Sequence, residues 1–228
     1  MSDSLSPETL ARHEATIHRV VGPTILLGSG TYFDYESPET SEITIEDVAY
    51  GLAHEGRFSG QCVRRSNGRR CLYVVAQHCV LASHLVPAGH EYDALMHEVG
   101  EAPCGDMSSP LKSICPDFKA IEKRAEAALL ERFRVPMRDK QLIKEYDIVM
   151  LAWERRDLLP WNGERWGTET AYQIPDQTLV PWSPRRAARE FLFRFREVAP
   201  DDVLREAGMT RPGALSRLLH LASRRLPL

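Results

Sequence analysis

The 228-residue chain lacks several sequence features, and each absence excludes a class of protein. No apolar run approaches the roughly 20 residues that span a bilayer, so no membrane helix is expected. The N-terminus has no basic stretch followed by an apolar core, so we expect no signal peptide. The five cysteines are odd in number and form no CxxC pair, which argues against a disulfide framework and a zinc ribbon. These absences predict a reduced, soluble, intracellular protein.

The charge balance and the glycine pattern narrow the class further. The net charge of −3 argues against a whole-surface nucleic-acid binder, because phosphate-dominated binding needs a basic face. The glycines form neither a P-loop nor a dinucleotide fingerprint. Arginine is concentrated after residue 184, beside leucines that predict the packing face of a helix: Leu215, Leu218, Leu219 and Leu221. The alternative is that this segment binds nucleic acid or a partner helix.

Most of the chain has helical periodicity. Residues 16–39 are rich in Gly, Pro, Thr and Tyr and predict short extended pieces joined by turns. Helical patterns begin at Thr44, with two acids in the first turn, and continue to residue 160. Residues 160–184 are predicted to be irregular, and two helices follow, the first with Pro184 at its start. We therefore predict a mainly α-helical domain with minor extended segments near the N-terminus.

Four side chains able to bind a metal lie in apolar segments of three predicted helices: His78, His97, Glu98 and Asp147. An imidazole or a carboxylate in such a setting is costly to bury unless it is paired or binds a metal. If these helices pack together, two imidazoles and two carboxylates would converge on one ion. Such a set suits Mn, Fe, Co, Ni or Zn and leaves positions for water and substrate oxygens.

Each of these residues also has a structural interpretation. A histidine in an apolar helix is more often a hydrogen-bonded structural residue than a metal ligand. Asp147 has Lys144 and Arg155 near it in sequence, and either could neutralise its charge. His54, at the end of a predicted helix and just before Arg57, is ambivalent. Taken singly, these residues leave both interpretations open.

The order of these residues resembles that of the HD-superfamily phosphohydrolases. The likeness rests on VVAQHCVLAS, ALMHEVGEAPCGDMSSPLK, FKAIEKRAEAAL and IKEYDIVMLAWERRDLLP, and upstream on ITIEDVAYGLAHEGRFSGQ. The pattern is similar to the branch with bacterial 5'-deoxynucleotidases and phage-type dATP triphosphohydrolases: a His helix, His-Asp-x-x-Glu, Gly-Asp, Pro-x-Lys and a distal Asp. The resemblance implies a compact HD-domain helical bundle over residues 26–160, preceded by an arm at residues 1–25. Residues 161–228 would form a helical extension packing on the domain or in an oligomer interface.

The resemblance implies a metal centre at His78, His97 and Asp147. The expected ion is one divalent transition metal (Co, Mn, Zn, Fe or Ni), with Mg an alternative for a triphosphate substrate. Glu98 occupies the place of a further ligand that is normally Asp in the family. Because glutamate also binds these metals, we expect a shifted or bidentate contact rather than loss of the ion.

The resemblance also assigns roles around the metal. Glu101 and Asp106 are the expected catalytic acids, one acting on the metal-bound water and the other assisting the leaving group. Arg57 and Lys112 are expected to bind phosphate oxygens. Glu122 would support the site from behind, or would lie on the surface and pair along its own helix.

The implied reaction is metal-dependent removal of phosphate or triphosphate from a free deoxynucleotide, with dATP- or dAMP-like substrates favoured. Tyr32 and Phe33 lie in residues 28–35, the segment where phage-type relatives contact the base, although packing in the core explains such aromatics equally well. The relatives also imply a homo-oligomer in the bacterial cytoplasm, or in the host cell if the protein is phage-encoded.

Two further alternatives for function are kept. The chain could be a degenerate HD module that binds a nucleotide without turnover, for which Glu98 is the sequence support. It could also hydrolyse another class of nucleotide. The retained His78, His97, Glu101, Asp106 and Asp147 argue for an enzyme.

Overall fold

The computed structural model describes residues 22–223, and within them a short β-hairpin precedes a set of packed helices. The strands are β1 (Thr24–Leu26) and β2 (Tyr32–Asp34), and 3₁₀ turns cover Pro38–Thr40 and Arg57–Gly60. The α-helices are α1 (Ile45–His54), α2 (Val75–Leu85), α3 (Glu91–Met96), α4 (Glu101–Cys104), α5 (Ser109–Lys112), α6 (Pro116–Arg132), α7 (Lys140–Leu158), α8 (Pro184–Val198), α9 (Asp201–Glu206) and α10 (Ala214–Ser223). The predicted mainly helical class is confirmed. Residues 1–21 of the predicted N-terminal arm lie outside the described residues.

The hairpin is antiparallel and places Ile25 opposite Phe33. Its turn includes Gly30, whose φ of 88° lies in the left-handed region that glycine tolerates. Phe33 points inward and joins the main core, where its ring meets Tyr35 edge to face at 5.4 Å. The hairpin is therefore held to the helices through its second strand.

Helix α1 begins where the sequence predicted a helix start. The Thr44 hydroxyl accepts a hydrogen bond from the Asp47 amide at 3.1 Å, and the Asp47 carboxylate accepts one from the Thr44 amide at 3.0 Å. This reciprocal capping box satisfies backbone donors that the first turn leaves free. The buried face of α1 carries Ile45, Val48 and Leu52 into the core.

Helix α2 is buried on nearly all its sides. It packs against α1, α3, α7 and α8, and its buried residues are Val75, Ala76, Gln77, His78, Cys79, Val80, Ala82 and Ser83. Gln77 also fixes the irregular segment that follows α7. Its side-chain amide donates to the Val180 carbonyl at 2.9 Å, and its carbonyl accepts from the Trp182 amide at 2.7 Å. The irregular segment predicted after residue 160 is confirmed, and two hydrogen bonds tie its end to the central helix.

Helix α8, the first helix of the predicted extension, belongs to the same core as α1 and α2. Ser183 caps its N-terminus, and Pro184 occupies the first turn as predicted. Phe191 and Phe195 are fully buried, and Phe195 meets Tyr92 of α3 edge to face at 5.9 Å. The first part of the predicted extension therefore packs on the helices that precede it.

The predicted helix through residues 91–102 is interrupted. Helix α3 ends at Met96, residues 97–100 form a turn, and α4 starts at Glu101. His97 and Gly100, at the two ends of this turn, keep right-handed helical dihedrals. Close packing accompanies the break, because a Cβ on Gly100 would lie 3.0 Å from the Glu126 Cβ of α6.

The leucines of α10 do not form the internal packing face that the sequence predicted. Leu215, Leu218 and Leu219 are 70%, 63% and 62% exposed. The helix is attached by a different side, where His220 stacks on the Phe193 ring at 3.5 Å and its Nε2 lies 2.8 Å from Glu190. The side chain of Leu221 lies outside the described residues. Within residues 22–223, no helix combines the length and apolarity needed to cross a membrane.

The close approach of α1 to α4 depends on a glycine. A Cβ at Gly51 would lie 2.7 Å from the Ala102 carbonyl oxygen, so Gly51→Ala should destabilise the fold by about 1–3 kcal/mol through overpacking. Denaturant unfolding measures this change. The matched control is Gly213→Ala, because its Cβ would meet nothing within 4 Å. Equal unfolding free energies for the two variants would contradict this close approach of the two helices.

Candidate metal centre

The four predicted ligands converge. One ligand atom from each of His78, His97, Glu98 and Asp147 can be chosen so that all four lie within 4.8 Å of one another. His78 comes from α2, Asp147 from α7, and the His97-Glu98 pair from the turn after α3. His78 is completely buried, and the other three are partly accessible. Three separate elements therefore present two imidazoles and two carboxylates to one point, and this group could hold a metal ion.

The two imidazoles are oriented by hydrogen bonds on their far sides. His78 Nδ1 lies 2.7 Å from Glu154 Oε1, and His97 Nδ1 lies 2.7 Å from the Ala94 carbonyl oxygen. Since both partners only accept, each Nδ1 carries a hydrogen and donates it. Each Nε2 is then the nitrogen that faces the group, as in metal-binding histidines whose Nδ1 is held by a partner.

The separations between ligand atoms fit a small divalent ion. His78 Nε2 lies 3.2 Å from His97 Nε2 and 3.4 Å from Asp147 Oδ1, and His97 Nε2 lies 3.6 Å from Glu98 Oε1. A tetrahedral site with bonds of about 2.1 Å holds its ligand atoms roughly 3.4 Å apart. Two facing imidazole lone pairs at such a distance repel each other unless a proton or a cation lies between them. These three separations are close to that spacing, and all four ligand atoms lie within 4.8 Å of one another, so the group could hold a metal ion.

The surrounding groups shift the pKa values of the two imidazoles in opposite directions and lower that of Asp147. Burial lowers the pKa of His97, and the adjacent His78 lowers it further despite the opposing carboxylates, so its ring stays neutral. Burial and Arg57 also lower the pKa of His78, but Glu154 and Asp147 outweigh them and raise it to about 9. Burial raises the pKa of Asp147, yet its hydrogen bond and attraction to His78 hold it well below the usual range. Asp147 is therefore ionised at neutral pH and able to bind a cation.

The position of Asp147 is compatible with both alternatives from the sequence, a metal ligand and the partner of a nearby cation. Its Oδ1 faces His78, while Lys144 Nζ donates to Oδ2 at 2.6 Å. Lys144 is largely exposed, so this pair neutralises the outer oxygen only. The other cation named from sequence, Arg155, instead lies over the rings of Trp161 and Trp166, at 4.4 and 5.1 Å from their centroids.

Glu98 lies in the metal-binding group despite its extra methylene. Its Oε1 is 3.6 Å from His97 Nε2 and 4.0 Å from Arg57 Nη1. The side chain is about one-quarter exposed, so it reaches the group from the accessible side. The longer side chain therefore still places a carboxylate oxygen among the other potential ligand atoms.

The predicted catalytic acids lie beside this group. Glu101 is almost fully buried, and its Oε2 has no hydrogen-bond partner among the described residues. Burial, reinforced by the charges of Glu98 and Asp106, raises the pKa of Glu101 to about 10. Burial and Glu98 also raise the pKa of Asp106, against the opposing charge of Arg57. The two carboxyls share one electrostatic environment, in which the buried Glu101 carries a proton at neutral pH.

Lys112 approaches the same carboxyls from α5. Its Nζ donates to Glu122 Oε1 at 2.6 Å and lies 3.7 Å from Glu101 Oε1. Glu122 is buried on α6, so the surface alternative for this residue is wrong. The Lys112 ammonium is therefore held at the edge of the group by two acids.

Arg57 is positioned by backbone pairing next to α2. Its amide donates to the Tyr73 carbonyl at 2.9 Å, beside an antiparallel bridge between Gly56 and Val74. The residue after it, Phe58, has a φ of 55°, which is strained for a side chain of this size. This backbone places the guanidinium in the interior, with Nη1 turned towards Glu98.

The two predicted base-contacting aromatics differ in accessibility. Phe33 is 0% exposed and packs in the core, so neither face of its ring is open to a base. The core alternative therefore holds for Phe33. Tyr32 is 45% exposed on the hairpin. The ambivalent His54 is exposed at the end of α1, where its Nδ1 lies 2.8 Å from the Tyr50 carbonyl and outside the ligand group.

Sequence reasoning missed Glu154, which is fully buried and contacts both His78 and Arg57. It follows Asp147 by seven residues on α7, and this spacing returns a helix to the same face. The available signal was an acid directly after the apolar stretch Met150–Trp153 and two helical turns beyond a predicted ligand.

Comparison with known proteins defines the family but names no activity. No family model matches the sequence. The uncharacterized protein YfdR of Escherichia coli strain K12 is 34% identical over 172 residues, which cover 75% of this chain and 93% of YfdR. The chain belongs to the YfdR family. An uncharacterized protein of Rhodobacter capsulatus is 29% identical over 164 residues, covering 67% of this chain and 80% of its own length.

The ligand geometry predicts that this YfdR-family protein binds one divalent ion per chain. Replacing His97 with Asn should lower Zn²⁺ affinity by about 100-fold or more, because the imidazole Nε2 is lost from the centre of the group. Isothermal titration of chelator-treated protein with Zn²⁺ measures this. His54→Asn is the matched control and should bind as the unmodified protein does. Unchanged affinity in the His97 variant would exclude this group as the site.

Proposed function

We propose that this protein is a metal-dependent phosphohydrolase of the HD superfamily that acts on free deoxynucleotides. The observation that carries the proposal is the convergence of His78, His97, Glu98 and Asp147 on one point. The resemblance of the motif order to HD phosphohydrolases supports the reaction class. Arg57 beside this group gives it a cation for phosphate oxygens.

The ion fits Mn, Fe, Co, Ni or Zn, because two imidazoles and two carboxylates form a mixed nitrogen and oxygen set. When bound, such an ion polarises a phosphoryl oxygen and makes its water more acidic. Mg remains the alternative for a triphosphate substrate, whose own oxygens would complete the coordination.

The chain's own residues would orient the phosphoryl group and move protons. Arg57 Nη1 and Lys112 Nζ flank the carboxyls and can donate to phosphate oxygens on two sides. Glu101 holds a proton because burial raises its pKa to about 10, so it can give that proton to a leaving oxygen. Asp106, which is less buried, is the partner suited to accept a proton from water.

A groove beside the hairpin is suited to the nucleoside. Its volume is about 550 Å³, and its walls include Leu26, Gly28, Ser29, Tyr50 and Ala102. Gly28 and Ser29 belong to the hairpin segment expected to contact the base, and Ala102 directly follows Glu101. The half-exposed Tyr50 offers a ring for stacking, a role that the sequence analysis assigned to Tyr32 and Phe33.

A substrate panel tests the function directly. Chelated protein receives Mn²⁺, Co²⁺, Zn²⁺ or Mg²⁺ singly, with deoxynucleoside mono- and triphosphates and ribonucleotides, and chromatography identifies the products. We expect metal-dependent release of phosphate or triphosphate from deoxynucleotides. Silence across the panel, with Zn²⁺ shown to bind, would support the non-catalytic nucleotide-binding module instead.

Glu98→Asp tests the proposed ligand role of this residue. The shorter side chain restores the carboxylate usual at this position in the resembled family, so turnover should stay within about threefold of the unmodified value or rise. Steady-state rates and metal content are measured together. A large loss of turnover with the metal still bound would contradict the ligand role of Glu98.

Glu101→Gln separates proton transfer from metal binding. The amide keeps the size of the side chain but cannot transfer a proton, so turnover should fall about 10²–10⁴-fold while Zn²⁺ affinity is retained. Rates and Zn²⁺ titrations are compared with those of Glu126→Gln, a change on α6 outside the ligand group. Loss of the metal from the Glu101 variant would make Glu101 a ligand instead.

A further inference from the structure

The buried carboxylate of Glu154 joins two parts of the candidate site that the sequence treats as separate. Its Oε1 accepts from His78 Nδ1 at 2.7 Å. Its Oε2 accepts from Arg57 Nε at 3.2 Å and lies 3.1 Å from Arg57 Nη2. Glu154 is 0% exposed, so water does not replace either partner. One carboxylate therefore holds both a predicted metal ligand and a predicted phosphate-binding cation.

The charges keep this carboxylate ionised. The Arg57 guanidinium, which stays charged in proteins and has no acceptor, lies 3.1 Å from Glu154 Oε2 in the interior. An ionised carboxylate offers acceptors only, so both neighbouring groups must donate. This requirement fixes hydrogen on Nδ1 of His78 and leaves its Nε2 facing His97 and Asp147.

The same contact sets the direction of Arg57. Nε and Nη2 lie along one edge of a guanidinium, and Glu154 occupies that edge. The remaining Nη1 is 4.0 Å from Glu98, on the side of the metal-binding group. Without Glu154, a buried Arg57 would lose its closest counter-charge and the contact that points Nη1 at the group.

We propose that Glu154 is a positioning residue that couples metal binding at His78 to oxyanion binding at Arg57. It touches neither ion itself, and it acts by holding the tautomer of one residue and the orientation of the other. The proposal rests on the metal site of the proposed function but not on the hydrolytic reaction. Binding of Zn²⁺ and of inorganic phosphate can therefore test it when no turnover is found.

In Glu154→Gln, two donor groups compete for a single acceptor oxygen. A glutamine has one carbonyl oxygen and one NH₂ group, whereas both neighbours of Glu154 donate. If the oxygen serves Arg57, the NH₂ faces His78 Nδ1 and favours the tautomer with hydrogen on Nε2, which cannot bind a metal. If the oxygen serves His78, Arg57 faces a donor. We expect Zn²⁺ affinity to fall 10–100-fold, as for other changes behind a metal ligand, and phosphate to bind the Zn²⁺-loaded variant more weakly.

Removing the second donor should rescue the variant. In the double variant Arg57→Met/Glu154→Gln, the amide oxygen is free to serve His78, because the arginine no longer competes for it and the neighbouring Tyr73 hydroxyl can accept from the NH₂ group. Its Zn²⁺ affinity should return to within about threefold of that of Arg57→Met alone, although phosphate binding stays weak. Such rescue measures the coupling between the two positions rather than a general loss of stability.

Glu190→Gln is a matched control. Glu190 is also 0% exposed and also joins a histidine and an arginine, with its Oε2 2.8 Å from His220 Nε2 and its Oε1 2.9 Å from Arg189 Nη2. It lies outside the ligand group, so its variant should keep the full Zn²⁺ affinity. Melting temperatures of all chelated variants, measured alongside, identify any that fail to fold.

A measurement on the unmodified protein covers the case in which Glu154→Gln does not fold. Proton–nitrogen spectra of histidine-labelled, Zn²⁺-loaded protein should show His78 with hydrogen on Nδ1 and zinc on Nε2, assigned by its absence in His78→Asn. Zinc on Nδ1 would overturn the proposal. Unchanged Zn²⁺ affinity in a folded Glu154→Gln variant, or a double variant as weak as the single one, would do the same. Failure of the unmodified protein to bind Zn²⁺ would reject the metal site and this coupling together.

Discussion

The burial of helix α2 is the constraint on which the rest of the structure depends. This helix packs against α1, α3, α7 and α8, so it has almost no solvent-facing side. A polar side chain on it must therefore find its partners inside the protein. Gln77 does so by bonding the segment before α8, and His78 does so by facing Glu154 on one side and the metal-binding group on the other.

The candidate site concentrates charge in an interior that disfavours single ions. Asp147 and Glu154 are held ionised by His78 and Arg57, whereas Glu101 faces other carboxyls and retains its proton. Environment thus separates acids of one chemical type into anions and a proton donor. Because each group depends on its neighbours for its charge state, the site behaves as one electrostatic unit.

Local chemistry allowed the sequence to predict the helical class, the capping of α1 and the start of α8. It also predicted the four converging side chains, since their order along the chain resembled a known pattern. It could not predict that Phe33 is buried and Tyr50 exposed, because the accessible face of an aromatic depends on packing between distant elements. The role of Glu154 was hidden for the same reason. Its partners, His78 and Arg57, are remote in sequence and meet it only in the folded protein. The exposed leucines of α10 likewise show that an apolar stripe predicts a face but not what covers it.

The ligands of the candidate site come from elements far apart along the chain, with α6 lying between His97 and Asp147. Such a group exists only after long-range packing is complete, so an ion that binds it selects the finished fold over partly folded chains. A bound metal would therefore stabilise the folded protein, and this stabilisation would increase with the concentration of free ion. Cells with little available metal would then hold a less stable population of this protein.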